Sequence, residues 1–461
     1  MRLLLAVLCL IGVTAAGVGA TAGLTGHVLE KVHCMDVPSQ YYALYVPSNY
    51  SAEKTWPVIF CFDPGARGLE PVKRLQAAAE KFGVIVAGSL NSRNGAWEDN
   101  VAAIRAMVGD VGTHLRLDRT RIYTAGLSGG ARVATQLAIS GMSKGVIACS
   151  AGFPQSEEGI PAKLPFVFFG TAGVEDFNYR ELRFLDDDLD QRGATHRIVI
   201  FDGGHEWAPA ELLGEAVEWL ALQEMKVGVR ARDEGIVQAA LASRRAHVPP
   251  SSDGEIWRNL QGIAADFEGL ADVSTEAAKA KQFAASSAVK DWRKAEAARL
   301  RSEESQAQEL VDDAANGALA PMRKQVAALR VQADEPTDSP ERRMAKRVLA
   351  GAAMSAREGV RGLLDRGDYE IAGSFLEMAV AIRPEATRNY FDLARARALG
   401  GDKKRALAAL QQAAEKGFSD AARVEDEGAF GKLKADPAWP ELLAKMRANP
   451  PEPASRSRGR P

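Results

Sequence analysis

The stretch Ile122-Tyr123-Thr124-Ala125-Gly126-Leu127-Ser128-Gly129-Gly130-Ala131-Arg132 decides the reading of the first half of the chain. A β-prone run over 121–125 stops at Gly126, Ser128 follows, and two more glycines lead into a helix-compatible run over 131–139. This is a G-x-S-x-G turn between a strand and a helix. Such a turn strains the backbone of the serine and leaves no room for Cβ atoms at the flanking positions. In return, Oγ of Ser128 is held out above the sheet edge. The N–H of Gly129, at the start of the helix, points to where an oxyanion would form. To carry chemistry the turn needs an acid, a histidine and a second donor in the right order.

Working outward, residues 28–46 alternate loosely and close at Pro47. The run Trp56-Pro57-Val58-Ile59-Phe60-Cys61-Phe62 is continuously apolar, as expected of a strand buried on both faces of a mostly parallel sheet. It enters a glycine-bearing loop, Asp63 to Gly68. The pattern then predicts a helix over 71–81, a strand over 83–87, a loop over 88–95 and a helix over 97–115. Beyond the turn it predicts strands over 145–150, 165–169 and 196–201, and helices over 179–192 and 209–222. Strands alternating with helices imply an α/β domain over 24–224, its parallel sheet covered on both faces.

Ligand sites in such sheets lie beyond the carboxyl ends of the strands. Three predicted loops there carry chemistry: the Ser128 turn, Gly170 to Asp176, and Asp202-Gly203-Gly204-His205-Glu206-Trp207. Ser128, Asp176 and His205 therefore follow in the order nucleophile, acid, histidine. His205 would take the Ser128 proton and return it to the leaving group, while Asp176 fixes the imidazole tautomer. Glu175, adjacent to Asp176, is the alternative acid. The oxyanion donors would be the N–H of Gly129 and one from the Asp63–Gly68 loop, that of Ala66. Trp207, Asn91, Arg93 and Trp97 are candidate substrate-binding residues, with Phe177 and Tyr179 beside them. Against this, aromatics commonly just pack under loops, and Arg93 could serve a loop salt bridge instead of a substrate carboxylate.

These residues resemble the α/β-hydrolase-fold serine esterases, most closely the exported polyhydroxybutyrate-depolymerase and feruloyl-esterase-like branch. Gly-Leu-Ser-Gly-Gly at 126–130, Gly-Thr with Asp-Phe-Asn-Tyr within 170–179, and Gly-Gly-His-Glu-Trp at 203–207 carry the likeness, which spans roughly 24–222. The resemblance implies ester hydrolysis without metal or cofactor. Many members have His-Gly in the oxyanion loop, where this chain has Asp63-Pro64-Gly65.

Composition sets the frame. With 58 Lys and Arg against 60 Asp and Glu, nothing favours nucleic acid or an anionic membrane as partner. Met1-Arg2, an apolar run over 3–13 and small residues to Ala20 read as a signal peptide over 1–20, so the mature protein is expected to be periplasmic or secreted. The apolar run is too short to span a bilayer comfortably. Cys34, Cys61 and Cys149, each in an apolar context without C-x-x-C spacing, read as buried free thiols.

From about Met225 strand signals vanish and the composition becomes that of helices. A helical region is expected over 225–335, with 276–300 as one long helix. Over 341–446 a period of 34 appears: Gly367-Asp368 recurs as Gly401-Asp402, and Ala372, Leu376 and Ala379 as Ala406, Leu410 and Ala413. This resembles the tetratricopeptide repeat, which implies a groove for a peptide or protein partner. Alternatively these helices only cover the catalytic domain. The Pro-, Ser- and Arg-rich tail, 447–461, is expected to be disordered.

The sequence thus predicts an exported serine hydrolase acting on a small or polymeric ester. A serine peptidase with the same triad is the nearest chemical alternative. A repeat scaffold with a secondary or inactive hydrolase domain is the alternative of another class.

Overall fold

The computed structural model describes residues 25–154, 159–246 and 252–451. The expected signal peptide and residues 452–461 of the tail lie outside the described residues. Eight strands form one sheet: β1 (Val28–His33), β2 (Tyr41–Tyr45), β3 (Trp56–Phe62), β4 (Ile85–Ser89), β5 (Leu117–Leu127), β6 (Gly145–Cys149), β7 (Val167–Gly173) and β8 (His196–Phe201). The order across the sheet is β1-β2-β4-β3-β5-β6-β7-β8. β2 pairs antiparallel with β1 and β4, and the six strands from β4 to β8 run parallel.

Parallel neighbours need crossovers, and helices supply them. These are α1 (Leu69–Phe82), α2 (Trp97–His114), α3 (Gly129–Ile139) and α4 (Tyr179–Gln191), with α5 (Ala210–Lys226) after the last strand. This is the α/β-hydrolase arrangement. β3 is buried at every position, which is why its sequence is unbroken in apolarity. Its Ile59 and Cys61 join the core beneath α1 and α5, with Leu75 and Leu213. Val58, Phe60 and Phe62 join the core on the other face, with Met107 of α2, Ala134 of α3 and Leu185 of α4. Each large apolar side chain so buried contributes about 1.5–3 kcal/mol.

Two strands run longer than their apolar signal. β5 starts at Leu117, because a polar, half-exposed segment still pairs Leu117 with Trp56. β7 continues to Gly173, through residues that read as loop. Gly173 is a strand residue because it pairs with Phe201 of β8, and it is glycine because a Cβ there would lie 2.3 Å from the Gly203 carbonyl oxygen.

The chain divides into two compact units, Met1–Glu296 and Ala297–Pro461. The helices expected as a linking region are therefore shared between them. α6 (Glu234–Ala246), α7 (Asp253–Phe267) and α8 (Ser274–Ala285) belong with the sheet. The reason is a continuous core: Leu222 and Met225 of α5 cluster with Val237, Leu241, Ile263 and Phe267. The long helix expected over 276–300 is two, α8 and α9 (Ser287–Ala315), because Ser286 adopts an extended conformation (φ −67°, ψ 151°). Its hydroxyl accepts the N–H of Val289 at 3.2 Å, a side-chain cap for the new helix.

The second unit continues with α10 (Leu319–Ala333), α11 (Pro340–Arg366), α12 (Tyr369–Ile382), α13 (Thr387–Leu399), α14 (Lys403–Glu415), α15 (Ala421–Asp426) and α16 (Trp439–Ala448). Its core is its own. Ala372, Leu376 and Ala379, and their partners 34 residues on, are all buried. Gly367 and Gly401 follow α11 and α13 at φ 82° and 83°, the left-handed conformation that stops a helix. Arg347 and Glu303 form a buried ion pair inside this unit, with Nη2 to Oε2 at 2.5 Å. Among the described residues, no helix is long and apolar enough to cross a membrane. Cys34, Cys61 and Cys149 are free and buried. Burial pushes the Cys34 thiol up to about 11, assisted by the charge of Asp110, so it is not a reactive thiolate.

Candidate active site

Ser128 lies between β5 and α3 at φ 53° and ψ −120°. That conformation costs a non-glycine residue about 1–3 kcal/mol and persists only where its surroundings over-determine it. The surroundings do so here. The Ser128 N–H donates to the Cys149 carbonyl at 2.8 Å, and the Ser128 carbonyl accepts from Ala131 and Arg132. The flanking glycines are compulsory. A Cβ on Gly126 would lie 2.1 Å from the Gly130 oxygen, and one on Gly130 would lie 2.1 Å from the Phe62 oxygen. Both obstacles are backbone. Gly130→Ala should therefore force α3 off β3 and destabilise the fold by more than about 4 kcal/mol, at the upper end for point substitutions. By contrast Gly109→Ala, in α2 with no atom near its Cβ, should stabilise by about 0.5–1 kcal/mol. Denaturant midpoints of the two variants check the contrast.

Among the described residues only three non-glycine residues have positive φ: Ala66, Ser128 and Ser150. They follow β3, β5 and β6 respectively, so the strained positions cluster at the carboxyl edge of the sheet. Asp176 and His205 follow β7 and β8 at that same edge. His205 Nδ1 lies 2.8 Å from Asp176 Oδ1, the acid being fully buried and the His205 side chain 9% exposed. The same Oδ1 accepts the Asn178 N–H at 2.8 Å. Oδ2 of Asp176 is buried without a hydrogen-bond partner. Phe177 stacks on the imidazole, with ring centroids 4.0 Å apart. Carboxylate and ring together fix the plane of His205. Among the described residues the Ser128 hydroxyl and His205 Nε2 make no hydrogen bond, with each other or elsewhere. Such contacts commonly tighten only once substrate is bound.

The loop after β3 is organised by buried Asp63. Its Oδ1 accepts the Gly65 N–H at 2.8 Å, the Arg67 N–H at 3.3 Å and Arg67 Nε at 2.8 Å. Its Oδ2 accepts Trp207 Nε1 at 2.9 Å, tying this loop to the one that bears His205. The Ala66 N–H donates to the Asp63 carbonyl at 3.1 Å, so an oxyanion role for Ala66 would require that turn to open. The helix-terminal N–H of Gly129 carries no such bond among the described residues.

A pocket of about 430 Å³ borders Gly129 and Gly130 and is lined further by Arg93, Asn94, Trp97 and Arg132, among others. Two of the expected substrate-binding residues, Arg93 and Trp97, face it. The other two have structural partners. Trp207 is buried under the Asp63 loop through its indole N–H. Asn91 accepts the Tyr41 N–H at 2.8 Å and donates to the Ser39 carbonyl, holding the turn that enters β2. Tyr179 bonds to Arg183 and Glu296. Sequence reasoning missed Asp63, Asn178 and Asn94. For Asn178 a signal existed, since an Asp two residues before it favours a turn in which the carboxylate accepts its N–H.

No family model and no curated protein sequence matches the chain. Among solved structures it is similar to the fluorophosphonate-binding serine hydrolase F of Staphylococcus aureus, at 14% identity over 42% of this chain and 98% of that one, TM-score 0.34. It is similar also to Est1E from Butyrivibrio proteoclasticus, at 15% identity over 44% and 100% of the two chains, TM-score 0.34. A third is the feruloyl esterase module from Clostridium thermocellum, at 13% identity over 42% and 88%, TM-score 0.35.

Proposed function

We propose that the chain is an exported serine hydrolase that cleaves a carboxylic ester through an acyl-enzyme on Ser128. The observation that carries this reading is the 2.8 Å contact of His205 Nδ1 with buried Asp176, on the sheet edge where Ser128 is held at positive φ. His205 Nε2 takes the Ser128 proton as Oγ adds to the ester carbonyl. The Gly129 N–H stabilises the resulting oxyanion. Collapse breaks the bond to the alcohol oxygen, which receives the proton from His205. Water, deprotonated by the same imidazole, then adds to the acyl-enzyme and releases the acid. Asp176 holds the histidine in the tautomer that leaves Nε2 able to accept. The pocket beside Gly129, lined by Trp97 and Arg93, would receive part of the ester. We read the C-terminal helices as tetratricopeptide-like repeats offering a groove to a peptide or protein.

A fluorophosphonate probe tests the reading directly. Folded wild-type protein should be labelled at Ser128, and His205→Gln should label far more slowly. Absence of labelling in folded wild type would favour the alternative in which the repeats work as an interaction scaffold.

A further inference from the structure

We propose that the side chain of Asn94 supplies the second oxyanion donor, in place of a backbone N–H from the loop after β3. The inference rests on the ester-hydrolase reading of Ser128. In the loop that would be expected to donate, Pro64 has no N–H, and the N–H groups of Gly65, Ala66 and Arg67, the expected donor Ala66 among them, all turn back onto Asp63. The neighbouring loop supplies a substitute. Asn94 lies directly over the residue that follows the nucleophile. A Cβ built on Gly129 would meet Asn94 Oδ1 at 1.9 Å, Cγ at 2.9 Å and Nδ2 at 3.3 Å. The Asn94 amide thus stands where a side chain on Gly129 would stand.

The backbone that carries this amide is well anchored, and the amide itself is unspent. The Asn94 N–H donates to the Pro64 carbonyl at 2.9 Å, and Arg93 forms a β-bridge with Gly65. Buried Asn100 clamps the loop from below, accepting from the Arg93 N–H at 3.1 Å and from Ser92 Oγ at 2.6 Å. Its own amide donates to the Arg93 and Ala96 carbonyls. Among the described residues the Asn94 side-chain amide makes no hydrogen bond. Which of its two ends is nitrogen is set by hydrogen bonding, and the terminal torsion is soft and two-fold. An oxygen held at the Gly129 N–H would draw the N–H end toward itself. The same substitution of a side-chain amide for a backbone donor is chemically sufficient for an oxyanion hole.

The test is steady-state hydrolysis of p-nitrophenyl acetate and of its thionoester by wild type, Asn94→Ala and Asn94→Asp. Asn94→Asp keeps the size of the side chain and removes the donor, so it guards against a packing artefact in Asn94→Ala. Both variants should lose about 10²- to 10³-fold in kcat, the usual value of one such donor, with KM little changed. The loss should be much smaller on the thionoester, whose sulfur accepts hydrogen bonds weakly. Unchanged kcat in both variants, or equal losses on ester and thionoester, overturns the assignment while leaving Ser128 as nucleophile. A wild type that turns over no ester and takes no fluorophosphonate overturns the hydrolase reading and this inference with it.

Discussion

Replacing Ser128 by alanine should abolish turnover of a p-nitrophenyl short-chain ester, with kcat falling by about 10⁶-fold, while thermal unfolding stays where it was. The stability half of this expectation follows from the backbone. Alanine keeps the Cβ and bears the same strain at φ 53°, and the bonds that hold the turn use the Ser128 N–H and carbonyl, not its hydroxyl. The activity half follows from chemistry: without Oγ no acyl-enzyme can form, and the residual rate over water would come from the oxyanion donors and binding alone. Comparing progress curves with a thermal melt of the same preparation separates the two halves. Retained turnover in a pure variant would remove Ser128 from the mechanism.

The second large effect is expected of Asp176→Asn: kcat should fall at neutral pH, by less than the loss of about 10⁴-fold that follows when the imidazole is also held in the wrong tautomer. The fold should tolerate the change, because the position is isosteric. Its geometry is constrained in an informative way. Two N–H groups, of Asn178 and of His205 Nδ1, converge on Oδ1, so an amide there must present oxygen to them. Its NH₂ then falls where Oδ2 already lacks a partner. The tautomer of His205 is kept, and what disappears is the negative charge that stabilises imidazolium in the transition state. Glu175→Gln is the matched control and should leave kcat near wild type. If instead Glu175→Gln is the damaging change, the acid has been assigned to the wrong neighbour.

Much of this could be read from residue order. Ser128, Asp176 and His205 announce themselves because each stands just past a strand, and strands are legible wherever the run is apolar, as in Trp56–Phe62. The boundaries that failed did so for physical reasons. The polar start of β5 carries no apolar signal, Gly173 resembles a loop residue until a neighbouring backbone is placed against it, and Ser286 breaks a helix through one hydroxyl. The wider site was harder still. Trp207 reads as a pocket aromatic, yet its indole N–H is claimed by Asp63, a residue 144 positions away. Asn94 carries no local signal at all, because its meaning lies in the space above Gly129. Contacts of that kind depend on the closed tertiary structure and leave no period in the chain.

That long reach between Trp207 and Asp63 bears on how the molecule comes to be active. Folding slows as the mean sequence separation of contacting residues grows. In the sheet unit β3 must collect β4 on one side and β5 on the other, and the loop after β3 is tied by Trp207 only when the loop after β8 arrives. In the helical unit the helices from α10 to α14 pack chiefly on the next along the chain, as α11 on α12 and α13 on α14. The helices made last should therefore reach native packing sooner than the sheet made first. Refolding followed by circular dichroism should run ahead of refolding followed by ester turnover, since the edge that carries Ser128, Asp176 and His205 is assembled from distant pieces and closes at the end.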